Sequence, residues 1–172
     1  LVMTFSFGLF SANTARAINN NISDRIYYEN GADVVMTEYS LSTSEEGGSS
    51  TYVETDFSRY EALDGVEIAT RVLVNDNVKL RISNKNVAEL TLMAIEPDKF
   101  AQTAWFRNDL LPIHWWNYCN ALVESRSGVI ISRGLAEKSN VSQGDVISLK
   151  WGGNDSLDTT VMDIVDYWPG LN

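Results

Sequence analysis

The sequence predicts an α+β fold, a mixed sheet with short helices, arranged as one domain or as two small lobes. Three observations carry that reading. β-rich runs recur along the chain, among them VEIATRVLV (66–74), VKLRIS (78–83) and VISLKW (146–151). The helical periods between them are short. And GVIISRGLAEKSNVSQGDVISLKW (128–151) reads as strand, helix, tight turn and strand in immediate succession. At 172 residues the chain is long enough to bury about two-thirds of its unfolded surface.

The first twelve residues, LVMTFSFGLFSA, contain eight apolar ones. A membrane-spanning helix needs about 20 such residues, so this run alone is too short to span. It carries no preceding basic stretch and is an incomplete signal peptide at best. Its abrupt start at Leu1 suggests a piece cut from a longer chain, with residues 1–12 as the outer end of a transmembrane helix; the competing reading is an ordinary buried N-terminal helix. Beyond Ala12, the residues Ala15, Ile18, Ile22 and Ile26 recur at helical spacing, with Asn19, Asn20, Asn21 and Asp24 opposite. Three consecutive asparagines are poor helix formers, so packing of the isoleucine face is expected to hold this segment. Residues 1–25 therefore form a helical leader, and 26–172 the α+β domain.

Gly31 breaks the helix, and ADVVMTEYSL (32–41) follows as a largely buried strand. STSEEGGSS (42–50) is a loop with little to pack. Phe57, Tyr60 and Leu63 share one face of a short helix behind Asp56, closed by Gly65. Asn75-Asp76-Asn77 reads as the turn of a hairpin between VEIATRVLV and VKLRIS. ELTLMAI (89–95) is a third strand, and Pro97 begins a helix or turn. Pro112 opens a helix to about Val123, and a lobe boundary falls within 97–127. GVIIS is then a buried strand and Ser132 an N-cap, with Leu135 and Ala136 turned inward. Val141 covers the helix end, Gly144 makes the turn and Asp145 accepts backbone N–H bonds there. VISLKW leaves, GGNDS turns, and TTVMDIVDYW returns antiparallel.

Charge narrows the function. Thirteen basic residues are scattered among 23 acidic ones, for a net charge of -10. Nucleic-acid binding needs clustered Lys and Arg to displace counterions, so no nucleic-acid partner is expected. Eight acidic residues and one basic, Arg59, lie between Glu38 and Glu67, read as a solvated acidic face or a cation- or basic-partner-binding surface.

Catalytic chemistry finds little to build on. His114 is the one histidine, and no Gly-x-Ser-x-Gly elbow accompanies it. Cys119 stands alone, which excludes an internal disulfide and a zinc site of several thiolates. No GxGxxG or GxxxxGK[ST] occurs, and Gly47-Gly48 and Gly152-Gly153 read as turn glycines. Glu45, Glu46, Asp98 and Asp109 show no acid–base spacing. No catalytic, cofactor-binding or metal-ligating set emerges, and the chain is expected not to be an enzyme. Tryptophan remains. Trp105, Trp115 and Trp116 sit in an aromatic-rich region and are candidates for a partner or substrate surface, with core packing as the competing role.

Four segments, in order, resemble the extracytoplasmic domain of FtsX/MacB-type ABC-transporter permeases. They are the apolar N-terminal run leading to GADVVM, YEALDGVEIATRVL, LTLMAIEPDKF, and the closing GVIISRGLAEKSNVSQGDVISLKW with VMDIVDYWPG. Residues 100–127 match no pattern of that family. The resemblance implies a MacB-like periplasmic core domain without catalytic residues, on the extracytoplasmic side of a cell membrane. It would bind a substrate or partner protein and transmit conformational change driven by a separate cytoplasmic ATPase. It also implies a second flanking transmembrane segment beyond Asn172. The alternative, resting on the tryptophans, is a secreted or surface module that binds carbohydrate or protein.

Overall fold

A computed structural model describes residues 2–38, 43–44, 50–51, 56–82, 85–151 and 155–171. The chain begins with one unbroken helix, α1 (Val2–Asn30), about 44 Å long at 1.5 Å per residue. Residues 3–22 are all exposed, and Met3 and Phe5 are 88% and 77% accessible. Ile18, Ile22 and Ile26 are also exposed, so the isoleucine face does not hold the helix to its own domain as the sequence led us to expect. Packing begins only in the last two turns. No described helix is long and apolar enough to cross a membrane. Gly31 ends α1 in the left-handed region (φ 78°), its N–H donating to Tyr27 C=O at 2.8 Å.

The expected strand after Gly31 is not formed in its described part, residues 32–38, and Val34, Val35 and Met36 are exposed. An apolar triplet makes a buried strand only when a neighbouring strand receives it, and none pairs here among the described residues. The stretch expected as a loop carries two short strands, β1 (Thr43–Ser44) and β2 (Ser50–Thr51), paired antiparallel; the rest of 39–55 lies outside the described residues. Helix α2 (Ser58–Glu61) follows Asp56, whose carboxylate accepts from Ser58 N–H (3.1 Å) and Ser58 O–H (2.7 Å). Leu63 lies past the end of α2 and is exposed rather than inward.

Next comes a long hairpin, β3 (Val72–Ile82) and β4 (Lys85–Ile95). Residues 66–71, read as strand, precede it without strand structure. Asn75-Asp76-Asn77 is not the turn but a bulge within β3, where the register shifts between Asn75 and Val78. Asn77 N–H donates to Asn75 Oδ1 at 2.9 Å, so the local turn chemistry is present but kinks a strand instead of reversing it. The chain reverses between Ile82 and Lys85. α3 (Pro97–Thr103) starts on Pro97, and α4 (Trp115–Glu124) starts at Trp115 rather than Pro112.

The closing unit follows its sequence signals except in its last strand, which spans Asp155–Val165, beginning inside the expected GGNDS turn and ending before Asp166-Tyr167-Trp168. β5 (Gly128–Ser132) leads into α5 (Arg133–Ser139), where Ser132 Oγ accepts from Leu135 N–H at 3.3 Å. Gly144 has φ 90° and Asp145 Oδ2 accepts from Ser142 N–H at 2.8 Å. β6 (Val146–Trp151) and β7 (Asp155–Val165) form an antiparallel pair, with Gly152 and Gly153 outside the described residues.

The five long strands make one mixed sheet in the order β4-β3-β6-β7-β5, with β5 parallel to β7 and the other pairs antiparallel. Strand alternation divides its side chains between two cores. Val78, Leu80, Ile131, Ile147, Leu149 and Val161 pack with Ala136 and Val141 of the α5 region. On the opposite face, Ile130 and Val165 meet an aromatic cluster of Phe100, Phe106, Leu111 and Tyr118, carried by α3, α4 and the loop between them. The structure is thus α+β with a mixed sheet and short helices apart from α1.

Candidate functional site

Among the described residues, distant parts of the chain converge on α1 at its base. Trp105 N–H donates to Gly31 C=O at 2.8 Å, and Gly170 N–H donates to Tyr28 C=O at 3.0 Å. Both bonds satisfy carbonyls that the end of a helix leaves without partners. The Trp105 ring lies 5.6 Å from that of Tyr27, and 6.1 Å and edge-on from that of Tyr28. Arg107 reaches Asp24 at 3.6 Å and is also forked onto Asp109, at 2.6 and 2.7 Å. Gly31 is buried, and Gly170, also left-handed at φ 75°, lies against it. Residues leaving the sheet after β7 therefore meet residues arriving from α1.

Burial pushes the Tyr28 hydroxyl up to about 12, and that hydroxyl is buried without a hydrogen-bond partner. Burial likewise pushes the Cys119 thiol up to about 11, which keeps it protonated and a poor nucleophile at neutral pH.

The three candidate tryptophans are not brought together into one platform. Trp105 is spent on the joint. Trp115 is sandwiched, stacked on Phe106 (5.4 Å between centroids) and His114 (3.8 Å), with its indole N–H donated to Ala101 C=O at 3.2 Å. Trp116 alone keeps an open face, at 37% accessibility, and shares the exposed side of α4 with Val123. His114 is the α4 N-cap: Nδ1 accepts from Trp116 N–H at 3.4 Å. Among the described residues no group of three or more His, Cys, Asp and Glu is placed to hold a metal ion.

The joint was missed by sequence reasoning, although Gly31 was visible as the end of the helix. It depends on β7 returning the chain to α1, which no local pattern reports. No protein-family model, curated protein or solved structure matches this chain.

Proposed function

We propose that this chain is the extracytoplasmic domain of an ABC-transporter permease of the FtsX/MacB type. It binds a substrate or partner protein outside the membrane and transmits conformational change driven by a separate cytoplasmic ATPase. The observation that carries the reading is the joint. A helix with exposed Met3, Phe5, Phe7, Leu9 and Phe10 at its far end runs into a domain whose last described residues return to that helix's base. Large apolar side chains exposed together mark contact with a membrane or a protein. A domain that receives and releases its chain at one place suits insertion between two membrane-spanning segments. The resemblance of its segments to that permease family supports the same reading.

The test is membrane fractionation of the protein as its gene encodes it, with a cysteine introduced by Asn108→Cys at an exposed position. Buried Cys119 keeps background labelling low. Recovery in the membrane fraction with labelling of intact cells by an impermeant maleimide is the expected result. Recovery as a soluble cytosolic protein, or labelling only after lysis, overturns the reading. The open face of Trp116 favours a second reading, a surface module that binds carbohydrate or protein; Trp116→Ala that leaves partner binding intact would remove its support.

A further inference from the structure

The sequence holds one Asn-Gly pair, Asn30-Gly31, and one Asp-Gly pair, Asp64-Gly65. Both carry the chemistry to modify themselves. The backbone nitrogen of the glycine attacks the side-chain carbonyl carbon of the residue before it, and with no Cβ the glycine leaves that approach uncrowded. The new N–Cγ bond closes a five-membered succinimide. The side chain's leaving group departs with the amide proton, as ammonia from asparagine or as water from aspartate. A water molecule then opens the ring on one side or the other. Opening at Cγ yields aspartate. Opening at the main-chain carbonyl yields isoaspartate, in which the backbone runs through the side chain and is one carbon longer.

In an unfolded chain the asparagine pair reacts faster, because a neutral amide is attacked more readily than a carboxylate. The fold reverses that order. Gly31 N–H donates to Tyr27 C=O at 2.8 Å, so the attacking nitrogen is committed to the end of α1. Gly31 is buried, and a Cβ on it would lie 3.1 Å from the backbone nitrogen of Gly170. A ring closing at this position has no space to occupy.

Asp64-Gly65 sits in the opposite setting. Val66 N–H donates to Leu63 C=O at 3.2 Å, which makes the pair the two central residues of a tight turn. That bond leaves the Gly65 N–H out, and among the described residues nothing accepts from it. Both residues are exposed, and nothing lies within 4 Å of a Cβ on Gly65. The connection between α2 and β3 can therefore take up an added backbone carbon in solvent.

We propose that Asp64 is a site of spontaneous isoaspartate formation, and that the joint protects Asn30 from the same reaction. The inference stands on backbone geometry and not on the permease reading.

The experiment incubates the folded protein and the protein unfolded in guanidinium chloride side by side at neutral pH. Peptide mapping locates the products with an endoprotease that cuts before aspartate but not before isoaspartate. In the unfolded chain Asn30 is expected to react first. In the folded chain Asp64 is expected to lead, within about twofold of its unfolded rate, with Asn30 slowed about tenfold or more. Any other order in the folded chain overturns the proposal, as does an Asp64 that reacts only when the chain is unfolded. Asp64→Glu, whose longer side chain does not close the five-membered ring, should abolish the product at this position; its persistence would place the reaction elsewhere. The comparison within the unsubstituted chain decides the matter even if the variant does not fold.

Discussion

A Cβ placed on Gly31 would lie 3.1 Å from the backbone nitrogen of Gly170, so the exit of α1 and the turn after β7 pack backbone against backbone. Both glycines are left-handed, at φ 78° and 75°. The contact joins two chain segments far apart in sequence. It also gives a clean separation of two costs.

Gly31→Ala should be more destabilising than Gly65→Ala. Both positions have positive φ (78° and 87°), which disfavours alanine by about 1–2 kcal/mol. Only Gly31 adds a steric conflict, since nothing lies within 4 Å of a Cβ on Gly65. Urea unfolding of the two variants measures the difference. Equal losses would mean that the turn at Gly170 yields freely and that the joint is not rigid.

Tyr28→Phe should leave stability unchanged or raise it by about 1 kcal/mol. The hydroxyl is buried with no partner, and an unsatisfied buried polar group carries a desolvation cost of about 1–3 kcal/mol. The ring keeps its edge-on contact with Trp105. A loss of more than about 1 kcal/mol in urea unfolding would show that the hydroxyl is bonded after all.

Stability should fall as pH rises from about 9 to about 12. Burial raises the Cys119 thiol from 9.0 to about 11 and the Tyr28 hydroxyl from 10.0 to about 12. The folded state thus holds protons that the unfolded chain has released. These contributions are fully present below the unfolded values and are lost as pH climbs through the folded ones. Unfolding curves across that range check the slope, and Cys119→Ala should flatten its lower part. Native Cys119 should also resist thiol reagents at neutral pH and react once denatured.

Much of this fold was legible where one local pattern had one meaning. Ser132, Gly144 and Asp145 act as their residue types require, because caps and turns are settled within a few residues. Asn75-Asp76-Asn77 failed for an instructive reason: the same Asx chemistry serves a turn or a bulge, and only the partner strand decides which. VVM at 34–36 failed similarly, since burial belongs to the neighbour as much as to the segment. The tryptophans were legible as a group but not individually. Trp105 is committed by Tyr27, a ring distant in sequence, and Trp115 by the nearby Phe106 and His114, while Trp116 keeps an open face because α4 turns it outward.

High salt should loosen α2 before it affects the sheet. The Phe57 ring has the Arg71 guanidinium 4.7 Å from its centroid and the Lys99 ammonium 5.7 Å away. Lys99 also bonds Glu61 at 2.7 Å, Arg71 reaches Glu96 at 3.9 Å, and Glu38 accepts from Arg59 and Tyr60. Glu38, Arg59, Glu61 and Arg71 are exposed while Glu96 and Lys99 are half-buried, α2 buries no residue, and salt screens the exposed pairs over about 10 Å or less. The sheet, by contrast, rests on buried apolar side chains that salt does not weaken. Limited proteolysis near residues 58–65 should therefore quicken with added sodium chloride while cleavage within β3 to β7 does not. Phe57→Leu should bring the same sensitivity at low salt, because it removes the ring that both cations face. Equal protection at low and high salt would mean that α2 is held by something other than this charged cluster.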